Sequence, residues 1–539
     1  MKKLSGVPAS GGLAVGKVRV ITRRTEGISR SVSTPHGEKA LFEAAKILAR
    51  DELTEIIENA SEHDAEIFNF QRLILDDKGY NNAVFEAIEQ GAGAAAATEE
   101  ATAKYIQKLH DVGDDYISLR SEDLQDINRR LLNILDGTPE TKLNLTGPVI
   151  VLAKEIMPSD LITADRNMIQ GFITGGGSAQ GHAAIIARTI GIPAVVAVGD
   201  AVFEIEDGTT IALDGGSGEV FVEPDESTVA RFLHRIGLAQ RKYLSLEKLK
   251  QSPCITKDGE EFYLYANCSS KEDIETAIEN GAMGVGLLRS EFLLMQQAEI
   301  PNEEEQYLFY KNCLLAAGEK PVTVRTFDIG ADKAITGISL QKEENPALGL
   351  RGLRLALAQQ SLFENQVRAL LRAGLHGNLK VMFPMVAEPK ELDTALQLVE
   401  NIKAKLEKEN VSYCKTIEWG IMIETPAAAL LADELAEKAS FFSIGTNDLT
   451  QYTLAADRTN TAVAEYFNPT SNAVIRLMQI TTDAAVKHGL SVSVCGESAA
   501  DEHAVLQYAR MGLRHFSVAG SALLYVKEIL MENMVKENM

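Results

Sequence analysis

Between residues 262 and 520 short apolar runs alternate with longer amphipathic stretches eight times over, the runs falling at 263–266, 284–288, 322–327, 380–383, 420–423, 441–444, 491–494 and 515–518. Each run is too short for a helix and each interval is long enough for one, so the pattern predicts eight strand–helix units. Eight such units fill a (β/α)8 barrel of about 250 residues; a doubly wound open sheet is the alternative that the same pattern allows. The residues that close the runs favour the barrel. Asn267, Arg289, Asp328, Pro384, Glu424, Asn447 with Asp448, and Cys495 stand at the C-terminal ends of the strands, where barrels assemble their sites.

Upstream the texture differs. Residues 36 to 135 read as helix: Leu41, Ala44, Ala45 and Leu48, then Leu53, Ile56 and Ile57, recur at helical spacing, and Leu124, Ile127, Leu131, Leu132 and Leu135 do so again before Asp136-Gly137. Short apolar runs at 13–21, 149–152, 171–174, 193–196, 210–213 and 219–222 predict strands on both sides of that block. The simplest organisation is an α/β domain over 1–30 and 140–224, a helical subdomain over 31–139 inserted into it, a charged linker helix over 225–250, and the barrel over 251–539.

The chain has 539 residues and a net charge of −23, of which the block 36–135 carries −11. That balance argues against a nucleic-acid groove or an anionic membrane as the main partner, and makes the helical block either a solvated face or a docking surface for a basic protein. No apolar run reaches the ~18 residues of a membrane span, and Met1-Lys2-Lys3 runs into Gly6 and Pro8 before any secretory core forms, so a cytoplasmic protein is expected. Five scattered cysteines make neither a disulfide framework nor a zinc motif, and most are expected to be buried and quiet.

Three arginines, Arg289, Arg325 and Arg458, fall at or just past strand ends, more positive charge than one mouth is expected to neutralise internally. Guanidinium forks suit phosphate and carboxylate, so a small ligand carrying both is the natural fit. Glu424 and Asp448 offer hard oxygens of the kind that Mg²⁺ takes, with an internal ion-pair network as the plain alternative. His182 comes directly after the glycine-rich stretch 175–181 and opens an apolar helical stretch. There a phosphoryl group could meet free backbone N–H groups, and neutral imidazole is an available nucleophile; a helix-capping histidine is the alternative.

The segments Gly445-Thr446-Asn447-Asp448-Leu449-Thr450-Gln451-Tyr452 with Arg458, Ile421-Met422-Ile423-Glu424-Thr425-Pro426-Ala427, Gly286-Leu287-Leu288-Arg289-Ser290-Glu291-Phe292 and Cys495-Gly496-Glu497 together resemble the phosphoenolpyruvate-utilising phosphotransferases, most of all the Enzyme I group of the bacterial sugar phosphotransferase system. Residues 324–330 and 342–346 are similar to the same family, in the same order along nearly the whole chain. The resemblance implies that His182 takes the phosphoryl group from phosphoenolpyruvate and passes it to the phosphocarrier protein HPr. It also implies that Arg289, Arg325, Asn447, Asp448 and Arg458 bind the substrate, that Glu424 and Asp448 hold Mg²⁺, and that Cys495 protonates the enolate to give pyruvate. The helical block would then dock HPr, the barrel would form a homodimer, and the histidine domain would swing about hinges near 140 and 225–250.

The family's Thr-Ser pair before the histidine is Gln180-Gly181 here, and relatives commonly continue past Met539 with a further helical segment. Two other readings share the motifs: a regulatory phosphoenolpyruvate-binding paralogue with weak transfer, suggested by Gln180-Gly181, and an enzyme like phosphoenolpyruvate synthase or pyruvate phosphate dikinase, which needs an ATP-binding domain ahead of the histidine domain.

Overall fold

The computed structural model describes all residues except 22–32, 60–61, 111–114, 138–144, 146, 155, 157–159, 161–167, 180, 182–183, 185–186, 189–190, 296–299, 331–342, 459 and 537–539. It divides into two units, Met1–Arg241 and Lys242–Met539.

In the first unit eight strands form one sheet: β1 (Lys2–Ser5), β2 (Val7–Ser10), β3 (Leu13–Ile21), β4 (Val149–Ala153), β5 (Ile169–Thr174), β6 (Ala194–Val196), β7 (Thr210–Asp214) and β8 (Glu219–Val222), in the order β1-β8-β7-β3-β4-β5-β6-β2. β3, β4, β5 and β6 run parallel, and β1, β2, β7 and β8 pair antiparallel at the edges. Strand alternation feeds two cores: Val151, Ala153 and Phe172 pack on one face, and Ile150, Leu152, Ile173 and Val195 on the other.

β3 and β4 are parallel neighbours, so the chain must cross over between them, and the crossover is the helical block. Its helices are α1 (Pro35–Asn59), α2 (Glu62–Asp76), α3 (Lys78–Glu89), α4 (Ala94–His110) and α5 (Asp115–Leu135). Their core is Phe42, Ala45, Ala49, Leu53, Phe68, Tyr80, Val84, Ile88, Leu124, Ile127 and Leu131. Of the helical face expected at Leu41, Ala44, Ala45 and Leu48, Ala45 is buried, but Leu41 and Leu48 are 41% and 53% exposed and Phe42 and Ala49 point inward in their place. A further helix spans Glu226–Glu247.

The second unit settles barrel against open sheet. β10 (Glu261–Cys268), β11 (Val285–Arg289), β12 (Val322–Arg325), β13 (Leu379–Phe383), β14 (Glu418–Ile423), β15 (Phe441–Ile444), β16 (Ser491–Val494) and β17 (His515–Ala519) pair parallel in chain order, and β17 and β11 both pair with β10, closing the ring. A two-residue strand, β9 (Cys254–Ile255), lies antiparallel on β10. Phe262, Leu264, Ala266 and Cys268 of β10 point outward into the core shared with the helices. Inside the ring Leu287, Met382, Met422, Phe441 and Cys495 form a small apolar cluster of their own.

Candidate active site

The C-terminal strand ends enclose a cavity of about 270 Å³. Arg289, Arg325, Glu424, Asn447, Asp448, Arg458 and Cys495 all line it, together with Arg351, Glu291, Asp328 and Glu497. His182 and Gln180 lie outside the described residues. The glycine-rich stretch before them is described in part: Thr174 Oγ1 donates to the Gly176 carbonyl at 2.6 Å, and Gly177 has φ +92°.

Register places two of the guanidiniums side by side. Arg289 ends β11 and Arg325 ends β12, and the two are paired positions of the parallel ladder. Arg325 is held from behind: its Nη2 donates to Glu291 Oε1 at 2.9 Å, its Nη1 lies 3.2 Å from Asp328 Oδ2, and its Nε is buried with no acceptor among the described residues. Burial works against this charge, yet Glu291, Asp328, Glu424 and Asp448 together hold its pKa above the ordinary arginine range. Asp328 also accepts from Arg351 Nη2 at 2.9 Å, and Arg351 Nη1 reaches on to Asp448 Oδ1 at 3.3 Å and the Tyr452 hydroxyl at 3.0 Å. Alternating charges thus run Glu291–Arg325–Asp328–Arg351–Asp448. Arg458, 43% exposed, stands at the rim 3.8 Å from Asp448.

The excess of positive charge expected from the strand-end arginines is not what the mouth holds. Among the described residues the cavity is lined by four arginines and five carboxylates, a formal charge of −1. Arg351 carries no mark in the strand-end pattern; Asp328 stands in that pattern without a stated role, and Glu291 and Glu497 lie outside it. The signal for Arg351 was weak: an arginine ahead of Gly352, which takes φ +55°, in the longest interval between consecutive barrel strands.

Glu424 comes directly after β14 and is 1% exposed. Its Oε1 accepts the Met385 backbone N–H at 2.6 Å, and Met385 adopts a left-handed φ of 55° in the loop after β13. A non-glycine residue held there costs on the order of 1 kcal/mol, which the surrounding packing must offset. Burial, then the Asp448 and Asp328 charges, push Glu424 up to about 8. Asn447 and Asp448 occupy the first turn of the helix Thr446–Leu454. Asn447 and Glu497 clasp each other, Nδ2 to Oε1 at 3.1 Å and the Glu497 N–H to Oδ1 at 3.2 Å. That clasp needs Gly496, since a Cβ there would fall on the Thr446 hydroxyl.

Cys495, at the end of β16, is 3% exposed. Burial, opposed by a hydrogen bond from Ser443, raises its thiol to about 11. It is therefore protonated at neutral pH. Of the other cysteines, Cys254, Cys268 and Cys313 are buried and Cys414 is half-buried; all are free.

A barrel mouth of this composition, in a chain that also carries a glycine-rich α/β domain, has the marks of enzymes that act on small phosphorylated acids, and the family matches agree. Residues 244–535 match the PEP-binding domain of the PEP-utilising enzymes, 5–120 match their N-terminal domain and 145–218 their mobile domain. The chain belongs to the family of PEP-utilising enzymes. Within it, the chain is similar to the phosphoenolpyruvate-protein phosphotransferases of Priestia megaterium (38% identical over 530 residues, covering 97% of this chain and 92% of that one), Listeria monocytogenes (37% over 547 residues, 99% and 96%) and Bacillus subtilis (37% over 534 residues, 97% and 93%).

Proposed function

We propose that the chain transfers the phosphoryl group of phosphoenolpyruvate to its own His182 and then to a histidine of the phosphocarrier protein HPr, releasing pyruvate, as the first step of the bacterial sugar phosphotransferase system. It is a phosphotransferase. The observation that carries this reading is one barrel mouth holding forked guanidiniums, paired carboxylates and a protonated thiol, in a chain alike over nearly its whole length to phosphoenolpyruvate-protein phosphotransferases.

Arg289 and Arg325 present adjacent forks to the anionic groups of the substrate, Asn447 adds an amide, and Arg458 closes on the ligand from the rim. The Glu291 and Asp328 pairs keep Arg325 oriented before substrate arrives, so no reorganisation is needed at the moment of transfer. The imidazole of His182 attacks phosphorus; an N–P bond forms as the bridging P–O bond breaks and its electron pair passes to the enolate. The Cys495 Sγ–H bond then breaks as the new C–H bond forms, and the thiolate left behind is stabilised by Arg325 and Arg289, both of which favour the charged form. Handing on the group exchanges one N–P bond for another on the carrier.

Glu424 and Asp448 fit a Mg²⁺ ion. They are hard oxygen donors, Glu424 Oε1 is occupied by a backbone N–H while Oε2 takes no donor among the described residues, and the crowding that lifts the Glu424 pKa is relieved by a divalent cation. When bound, the ion would supply positive charge for a multiply anionic substrate that a lining with no excess of arginines over carboxylates lacks. The acidic helical block is the docking surface for HPr, and the exposed Leu41, Ile47 and Leu48 on α1 give it apolar contacts among the carboxylates. Turnover further requires His182 to move between substrate and carrier, and the barrel to pair with a second copy.

The test is incubation with labelled phosphoenolpyruvate and Mg²⁺. An acid-labile, base-stable phosphoryl adduct is expected, absent from His182→Ala and discharged by added HPr; label that survives the substitution, or that HPr leaves in place, overturns the reading.

A further inference from the structure

The interior of the barrel below the site carries polar side chains that the phosphoryl chemistry does not use. Two chains of side-chain hydrogen bonds meet at Cys495, whose own Sγ–H donates to the Ile444 carbonyl at 3.5 Å. One starts at its carbonyl oxygen, which accepts from Asn267 Nδ2 at 3.1 Å, and Asn267 Oδ1 accepts from Ser517 Oγ at 2.7 Å. That chain holds backbone. The other ends on the sulfur: Ser443 Oγ donates to Cys495 Sγ at 3.2 Å, and Ser493 Oγ donates to Ser443 Oγ at 3.1 Å. Ser443 is 1% exposed, Ser493 is half-buried, and Ser491, two residues earlier on the same face of β16, is exposed at the N-terminal end of the barrel. Tyr263, Tyr265 and His515, facing the same interior on β10 and β17, are likewise only half-buried. The hydroxyls therefore lead from solvent at the bottom of the barrel to the thiol at the floor of the substrate cavity, with the Ser493 O–H pointing at Ser443 Oγ and the Ser443 O–H pointing at sulfur.

We propose that Ser493 and Ser443 return a proton to Cys495 from solvent at the N-terminal end of the barrel, opposite the end at which substrate enters. This rests on the reading that Cys495 protonates the enolate. The thiolate takes the Ser443 hydroxyl proton as the Ser443 oxygen takes that of Ser493 and Ser493 takes one from water. One S–H bond forms, one O–H bond of water breaks, the hydroxide so formed stays in bulk solvent where buffer neutralises it, no electrons are exchanged, and both serines end as neutral alcohols. Refilling the acid in this way does not wait for pyruvate to leave the mouth. The serines act through the thiol and touch no substrate atom; they are positioning and relay groups.

Rapid-quench counting of pyruvate, with phosphoenolpyruvate, Mg²⁺ and HPr in excess, separates the first turnover from later ones. Ser443→Ala is expected to release its first equivalent at the wild-type rate, because the thiol starts loaded, and then to settle to a steady rate about tenfold or more below wild type, with KM for phosphoenolpyruvate unchanged. Ser493→Ala, at the partly exposed position, behaves the same way, Ser493→Thr restores the steady rate, and D₂O slows the steady phase alone. A wild-type steady rate in both alanine variants overturns the relay. So does a first equivalent as slow as later ones, which would make Ser443 a prop for the thiol. Failure of the underlying reading has a different signature: Cys495→Ala would release pyruvate at the wild-type rate.

Discussion

Glu291 is the residue on which the orientation of Arg325 depends most. Its Oε1 accepts from both Arg325 Nη2, at 2.9 Å, and the Asp328 backbone N–H, at 2.8 Å. The arginine and glutamate side chains are 13% and 6% exposed, so little water is at hand to replace the carboxylate. Removing one partner of a buried ion pair costs about 3–5 kcal/mol. Glu291→Ala is expected near the lower end, because Asp328 still faces the guanidinium at 3.2 Å. Glu291→Gln keeps an oxygen for both donors and loses only the charge, so about 1 kcal/mol is expected. The assay is urea unfolding monitored by fluorescence. Trp419, the one tryptophan of the chain, lies in β14, 6% exposed and stacked on Phe383 with centroids 5.5 Å apart, so its emission reports the barrel by itself. A loss for Glu291→Ala of under about 0.5 kcal/mol, or an equal loss for the glutamine variant, would refute the claim that this carboxylate holds the arginine in place.

The same geometry has other consequences. Burial, with Lys380 adding to it, holds His515 down at about 4, so between pH 6.5 and 4 the unfolded chain binds a proton that the native barrel does not. Stability is fully present above the unfolded value and falls with pH through that window, by about 3 kcal/mol at most, and His515→Gln should flatten the urea midpoint measured between pH 7 and 5. With its thiol at about 11, Cys495 exposes only about one part in a thousand as thiolate at pH 8; alkylation read out by mass spectrometry should rise about tenfold per pH unit from 8 to 10, and fast labelling independent of pH would contradict the burial argument. Arg351→Met removes the guanidinium that bridges Asp328 and Asp448; kcat/KM for phosphoenolpyruvate should fall at least about tenfold, and an unchanged value would remove Arg351 from the site.

The barrel was legible because a parallel strand buried on both faces is written as a short continuous apolar run, and all eight runs became strands. β1 and β2 were not legible: they are short edge strands, mostly exposed at β1, with Pro8 inside β2 where an edge tolerates it. In α1 the apolar residues occupy more than one face, and spacing alone could not tell Leu41 and Leu48 from Phe42 and Ala49; packing on α2 and α5 chose the latter set. At the mouth, residues that end strands were readable one by one. Their charge balance was not, because Asp328 and Arg351 come together only through the loop fold, with Arg351 lying 23 residues further along the chain than its partner.

Whether this barrel mouth loads His182 is decided by rapid-quench mass spectrometry of the wild-type chain and its Arg325→Met variant mixed with phosphoenolpyruvate and Mg²⁺. One phosphoryl group on the peptide containing His182, formed fast in the wild type and slowly or not at all in the variant, is the expected result. Phosphorylation of a different residue, or an equal rate in both proteins, would contradict it.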